Sequence, residues 1–78
     1  MKLKPIGSNM TTLTLNDGTE ILFSYETPVA GCSGSARDYT YFKTAYNWSK
    51  TTTRHINKYL DGVEAVVFAQ HEIHEMVN

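Results

Sequence analysis

Residues 11–25, Thr-Thr-Leu-Thr-Leu-Asn-Asp-Gly-Thr-Glu-Ile-Leu-Phe-Ser-Tyr, contain two runs of alternating side chains on either side of a turn. The two-residue period of a strand places apolar side chains on one face of each run: Leu13 and Leu15 in the first, Ile21, Phe23 and Tyr25 in the second. Residues 16–18 between the runs are a strong turn signal, because Asn, Asp and Gly tolerate positive φ angles. The stretch therefore predicts a β-hairpin.

The segments after the hairpin predict further strands. Pro28 has no amide hydrogen, so the second strand should end or bend there, and residues 29–30 could begin a short third strand. Residues 31–36 are small and favour a flexible loop. Residues 39–43, Tyr-Thr-Tyr-Phe-Lys, are rich in strand-forming side chains and predict another strand. Together these segments indicate an antiparallel sheet of three or four strands.

The pattern changes to a helical period at residues 50–60. An apolar stripe recurs at every fourth position: Thr52, Ile56 and Leu60. Ser49 or Thr51 could accept a hydrogen bond from the free amides at the helix start. Residues 61–62, Asp-Gly, are typical of the end of a helix. The stretch therefore predicts an amphipathic helix that packs on the sheet.

The last segment allows two interpretations. Val66 and Val67 are β-branched and favour a strand within residues 63–69, followed by a short helix over residues 70–77. One continuous helix over residues 63–77 is the alternative.

The predicted fold class is thus α+β, in a single domain over residues 1–78. It consists of a small antiparallel sheet of three to four strands with one packed amphipathic helix and a short C-terminal strand and/or helix. The expected core residues are Leu13, Leu15, Ile21, Phe23, Phe42, Trp48, Ile56, Leu60, Val66 and Phe68.

Length and composition limit the class of protein. A chain of 78 residues buries only about 60% of its unfolded surface, so a homodimer would be one way to add buried area. Cys32 is the single cysteine, which excludes an intramolecular disulfide. The sequence contains neither the apolar run of a signal peptide nor the ~20 apolar residues of a membrane span. A cytoplasmic protein is therefore expected.

Four runs stand out within residues 4–60: KPIGSN (4–9), LNDG (15–18), FSYETPVA (23–30) and WSKTTTRHINKYL (48–60). They resemble a family of short uncharacterised proteins carried by tailed phages and found in metagenomes. The resemblance implies a phage setting, in which small proteins bind and modulate host or phage machinery. It implies no catalytic residues.

Charge is distributed unevenly, although the net charge is −1. Residues 43–60 contain four cationic side chains and no acid, whereas residues 61–78 contain four acids and no Lys or Arg. Basic and polar side chains contact phosphates and base edges, and tyrosines stack on bases or anchor protein interfaces. The candidate macromolecule-binding residues are Lys43, Lys50, Thr51, Arg54, His55, Lys58, Tyr39, Tyr41 and Tyr46. The alternative is an ordinary solvated helix face, with part of the aromatics in the core.

Two weaker candidates concern metal binding and catalysis. Residues 71–75, His-Glu-Ile-His-Glu, would place two histidines on one side of a helix, but the spacing differs from the His-Glu-x-x-His of zinc proteases. Cys32 lies in a Gly- and Ser-rich run and has no recognisable partner base. We therefore expect no catalytic residue, no metal and no cofactor.

The sequence favours a non-enzymatic, small phage-like binding protein that modulates or inhibits a host or defence complex, in the manner of an anti-CRISPR or other anti-defence protein. The alternative is a nucleic-acid-binding module that uses the basic helix 50–60 and the adjacent tyrosines. The expected partners are accordingly a host or phage protein complex or, in the alternative, nucleic acid, with no membrane. A homodimer remains open.

Overall fold

The computed structural model describes residues 2–33 and 40–77, which form six strands and two helices. Along the chain these are β1 (Lys2–Gly7), β2 (Met10–Thr14), β3 (Glu20–Ser24), β4 (Thr27–Ser33), β5 (Thr40–Thr44), α1 (Lys50–Leu60), β6 (Val66–Phe68) and α2 (Gln70–Met76). The strands lie side by side in chain order in one sheet. The first five are antiparallel neighbours, and β6 runs parallel to β5 after the crossover through α1.

The predicted antiparallel sheet of three to four strands with one packed helix is therefore wrong. The sheet of the described residues is mixed and has six strands. Each face of the sheet carries a helix, because Ile21 and Leu22 are adjacent in β3 and both fully buried, yet belong to different apolar clusters. Neighbouring residues in a strand point to opposite faces. The molecule thus has three layers, with the sheet in the middle.

The first face packs against α1. Its buried cluster contains Met10, Leu22, Val29, Ala30, Ile56 and Leu60. Val29 and Ala30 lie on the same face although they are neighbours in β4. The register between β3 and β4 shifts between Leu22 and Phe23, and such a bulge places two successive residues opposite one.

The second face packs against α2. Its buried cluster contains Leu13, Ile21, Phe42 and Ile73. Gly31 lies between Ile21 and Phe42 in the strand register, and a Cβ atom there would lie 2.6 Å from Cζ of Phe42. Glycine is therefore required for the Phe42 ring to lie over β4, and the ring in turn stacks on Phe68 at 5.3 Å.

Several predictions are confirmed. The hairpin is formed by β2 and β3, and its turn is closed by a 2.9 Å hydrogen bond from the Thr19 amide to Oδ1 of Asp17. This bond lowers the pKa of the Asp17 carboxyl. The predicted helix is α1, which ends at Asp61, a residue in the left-handed region with φ of 48°. The C-terminal segment is a strand and a short helix, so the alternative of one continuous helix is wrong.

Other predictions fail for identifiable reasons. Residues 31–33, expected in a loop, continue β4, while residues 34–36 of that expected loop lie outside the described residues. Trp48 and Val66, expected in the core, are 43% and 49% exposed. Val66 belongs to the edge strand β6, and Trp48 precedes α1 in a segment that lies on the surface. Neither helix of the described residues has the length and apolar character needed to cross a membrane.

A candidate basic and aromatic contact surface

The outward side of α1 carries a row of cations. Thr52, Ile56 and Leu60 are buried, while Lys50, Arg54, Lys58 and Thr51 are exposed. The three cations follow one another at intervals of four residues, which places them about 6 Å apart along the axis and within about 80° around it. The predicted orientation of the helix is therefore confirmed.

The start of α1 is stabilised by a side-chain hydrogen bond and not by acidic side chains. Oγ of Ser49 accepts a 3.1 Å hydrogen bond from the amide of Thr52. The first turn contains no acid, and Lys50 is its first residue. A cation at this end opposes the helix dipole, and like charges four residues apart destabilise a helix by a few tenths of a kcal/mol. The cation row thus weakens α1 slightly.

An open cleft of about 460 Å³ lies beside this row. It is lined by Asn47, Trp48, Ser49, Lys50, Thr53 and Arg54. The rings of Tyr46 and Trp48 lie against each other with centroids 4.4 Å apart, and they are 57% and 43% exposed. We call the exposed residues Tyr46, Trp48, Lys50, Arg54 and Lys58 the basic–aromatic surface.

Gln70, the first residue of α2, fixes the position of Trp48. Its Oε1 accepts hydrogen bonds from Nε1 of Trp48 at 3.1 Å and from Oγ1 of Thr44 at 2.6 Å. Its Nε2 donates to the carbonyl of Pro28 at 2.7 Å. The amide of one side chain thus connects β4, β5 and the segment before α1, and it holds the indole at the surface.

The other predicted contact residues lie apart from this surface or turn inward. His55 is half-buried, with Nδ1 2.7 Å from Oγ of Ser24. Tyr41 is half-buried and packs on the cluster beneath α1. Lys43 is half-buried on β5, and Tyr39 lies outside the described residues.

The contact between Ser24 and His55 has the residue types of a nucleophile and its base, yet Ser24 is only 2% exposed. Its Oγ also lies 3.0 Å from Oγ1 of Thr52. A substrate cannot reach this hydroxyl, so the contact ties α1 to β3. Among the described residues, every buried side-chain nitrogen or oxygen atom has a hydrogen-bond partner.

A second polar contact joins α1 to β3. The hydroxyl of Tyr59 donates to Oε1 of Glu20 at 2.7 Å. Burial raises the pKa of Tyr59 well above its ordinary value, and the bond to the Glu20 carboxylate raises it further. Cys32, half-buried on β4, also contributes to the raised pKa.

Two acidic side chains lie on the helix of the other face. Glu72 and Glu75 are exposed on α2, together with His71 and His74. Within residues 2–33 and 40–77, no three His, Cys, Asp or Glu side chains are grouped as metal ligands would be. Because α1 and α2 cover opposite faces of the sheet, the helix on one face exposes three cations and the helix on the other exposes two carboxylates.

A family model described as "Family of unknown function (DUF8033)" matches residues 1–75. The chain belongs to this family. The expectation of an uncharacterised family is thereby confirmed. The match extends from β1 to α2 and is wider than the four runs within residues 4–60. No curated protein and no solved structure matches the chain.

Trp48 is the residue of this surface that the sequence analysis of the DUF8033 chain assigned to the core. Its position depends on Gln70, 22 residues further along the chain, and no local pattern signals that contact. Asn47 and Thr53, which line the cleft, were also not among the expected residues. Their polar character beside a tryptophan before a basic helix was the available signal.

Proposed function

We propose that this protein is a non-enzymatic binding module that docks on an acidic surface of a protein partner through its basic–aromatic surface. One observation carries the proposal: three exposed cations, Lys50, Arg54 and Lys58, lie in a row beside the exposed Tyr46–Trp48 pair.

The cation row is not explained by the stability of the fold. Lys50 opposes the helix dipole, and the Lys50–Arg54 and Arg54–Lys58 spacings juxtapose like charges. Residues that break local rules without a structural gain point to function. Aromatic side chains and Arg are also the residues that dominate the energy of protein interfaces. An acidic partner would neutralise the row and cover the indole.

The setting of this activity rests on the resemblance of residues 4–60 to tailed-phage proteins. In that setting the module would act in the host cytoplasm, where it would modulate or inhibit a host or defence complex. An anti-defence or anti-CRISPR role requires no catalysis, because occupying an acidic surface of the complex is sufficient to block it.

A nucleic-acid partner is the second candidate, and one observation favours it. The Tyr46–Trp48 pair lies at a cleft that Lys50 and Arg54 also line. Single-stranded nucleic acids bind where aromatic rings stack on bases beside cations that contact the backbone. In this candidate function the same surface is used with a different partner.

Trp48 is the only tryptophan of the chain, so its fluorescence reports binding at this surface directly. We would titrate the protein with a poly-glutamate peptide and, separately, with oligo-dT, at several salt concentrations. The test variant is Lys50→Glu with Arg54→Glu. The matched control is Lys2→Glu with Lys4→Glu, which makes the same charge change on the exposed strand β1.

The protein-partner proposal expects poly-glutamate to change the Trp48 emission, and the charge-reversed variant to abolish that change while the β1 control keeps it. Binding of oligo-dT instead, with a salt slope of about −2 for three backbone contacts, would establish the nucleic-acid alternative. If neither probe binds, or if the charge-reversed variant binds as well as the control, the surface is not the contact site and both candidates fail.

A cell-based comparison then tests the phage setting. Tagged wild-type protein, the charge-reversed variant and the β1 control are recovered from nuclease-treated host lysate. A host or defence complex that is recovered with the wild type and the control, but not with the charge-reversed variant, supports the setting. Equal recovery with all three proteins contradicts it.

A further inference from the structure

The two edges of the sheet differ in how they are protected. The edge strand β1 contains Lys2, Lys4 and Pro5, and its pairing with β2 is irregular between Pro5 and Gly7. Charges, proline and bulges on an edge prevent further strands from adding to it. The opposite edge strand, β6, has the sequence Val-Val-Phe and carries none of these features.

The side chains at the β6 edge form an apolar patch. Val63, Val66 and Val67 are 45%, 49% and 56% exposed. No strand of the described residues lies beyond β6. An edge strand with exposed β-branched residues and no charge, proline or bulge can accept another strand, and its three-residue length keeps the added pairing short.

The backbone of β6 presents a free pairing position at Val67. The carbonyl of Phe68 accepts a 2.8 Å hydrogen bond from the amide of Ala45, so the polar groups of Phe68 face β5. Backbone groups of successive residues in a strand point to opposite edges, as the ladder pattern requires. The amide and the carbonyl of Val67 therefore point away from the sheet.

We infer that β6 pairs antiparallel with β6 of a second copy of this chain, centred on Val67. In such a pair the amide of Val67 in each copy donates to the carbonyl of Val67 in the other copy, which gives two hydrogen bonds between the two residues. The two sheets join into one continuous sheet around a two-fold axis perpendicular to it. The surface is thus complementary to itself, as a closed dimer requires.

A second copy fits this edge better than a strand of an unrelated partner. With Val67 opposite Val67, Val66 of each copy lies opposite Phe68 of the other, so the paired segment brings apolar side chains together and contains no like charges. Pairing β6 with the protected β1 edge of another copy would instead give an open chain of molecules, and the charges and proline of β1 oppose it.

The dimer has a consequence for the charged helices. A two-fold axis perpendicular to the sheet keeps equivalent faces on the same side. Both copies of α1 would therefore lie on one side of the continuous sheet, and both copies of α2 on the other. The inference does not depend on the proposed function, because it rests on the β6 edge alone.

Sedimentation velocity of the whole chain tests the dimer. Because the interface is small, we expect the wild type to shift from monomer to dimer as the concentration rises to about 1 mM. Val67→Lys, at an exposed position, should remain monomeric over the same range. Leu3→Lys, which adds the same charge at the exposed β1 edge, should dimerise like the wild type. Circular dichroism confirms that both variants fold.

Cross-linking gives a second readout that does not require strong association. A hydrogen-bonded antiparallel pair separates two Cα atoms by about 5.5 Å, which is within disulfide range. Val67→Cys in a Cys32→Ser background should therefore form a disulfide dimer under mild oxidation, and Leu3→Cys in the same background should not. A wild type that stays monomeric, a Val67→Lys variant that dimerises, species larger than a dimer, or preferential cross-linking at position 3 would each overturn the inference.

Discussion

The two faces of the sheet are held to their helices in different ways. On the α1 face, an 11-residue helix with a capped start contributes three buried residues, and polar pairs such as Ser24–His55 and Tyr59–Glu20 add to the apolar packing. On the α2 face, a 7-residue helix contributes one buried residue, Ile73, to a cluster that is entirely apolar. The difference teaches that α1 has several buried anchors and can carry an unfavourable row of charges, whereas α2 has one fully buried anchor, Ile73, beside the hydrogen bonds of Gln70 at its start.

The largest effect is expected from Gly31→Ala, which disturbs the α2 face. The new Cβ atom would meet the backbone carbonyl of Glu20 and the ring of Phe42. The carbonyl belongs to the paired strand β3 and cannot move aside, so we expect a loss of about 3 kcal/mol or more. Urea unfolding measures it. Gly7→Ala is the control for crowding, because the atom nearest to a Cβ atom at that position is Sδ of Met10 at 3.5 Å, an ordinary van der Waals contact; a similar loss in both variants would show that crowding is not the cause.

The next effect is expected from Ile73→Ala, which removes the fully buried anchor of α2. Truncation of a fully buried isoleucine to alanine lowers the free energy of unfolding by about 3 kcal/mol. Ile56→Ala removes an anchor of equal size from α1, where Thr52 and Leu60 remain. Amide hydrogen exchange should show α2 opening separately from the sheet in the first variant, and α1 remaining protected in the second. Equal loss of amide protection in α2 of the first variant and α1 of the second would contradict the proposed difference between the two faces.

A smaller effect is expected from Ser49→Ala, which removes the acceptor of the Thr52 amide at the start of α1. The expected loss is about 1 kcal/mol. Because Lys50 already opposes the helix dipole, Lys50→Glu should restore part of this loss in the double variant. Thermal unfolding of the two single variants and the double variant measures both effects. No recovery in the double variant would mean that the charge of Lys50 does not weaken α1.

The smallest effect at neutral pH is expected from Tyr59→Phe, about 0.5 kcal/mol for one half-exposed hydrogen bond. Its signature is the pH dependence. The raised pKa of Tyr59 means that the folded protein keeps a proton that the unfolded chain releases above about pH 10. The stabilisation is therefore complete below that pH and is lost as the pH rises further. Tyr59→Phe should flatten this alkaline decline, whereas the exposed-ring control Tyr46→Phe should leave it unchanged. An unchanged decline in Tyr59→Phe would contradict the assignment.

The elements with a local signal could be predicted from the sequence. Ser49, the buried stripe of α1 and residues 61–62 define the helix within the chain segment itself, and residues 16–18 define the hairpin. Burial of the second face of the sheet could also have been predicted. Ile21, Leu22 and Phe23 are three consecutive apolar residues, which is typical of a strand buried on both faces.

The remaining features had no local signal. The strand β1 is exposed along its whole length and contains Pro5, so neither periodicity nor composition marks it. The exposed position of the α1 cations in the candidate surface could be predicted from the helical period of the sequence. The exposure of Trp48 could not be predicted, because it depends on a hydrogen bond to Gln70 from a distant element.

The position of the helices on opposite faces also affects how the molecule meets a partner. Three exposed cations on α1 and two exposed carboxylates on α2 are separated by the sheet in a molecule that measures 31 × 24 × 23 Å. Such a separation favours the approach of α1 to an acidic partner, which is the orientation that the proposed contact requires. The separation therefore acts on the association rate more than on the lifetime of a complex, and added salt should slow encounter first.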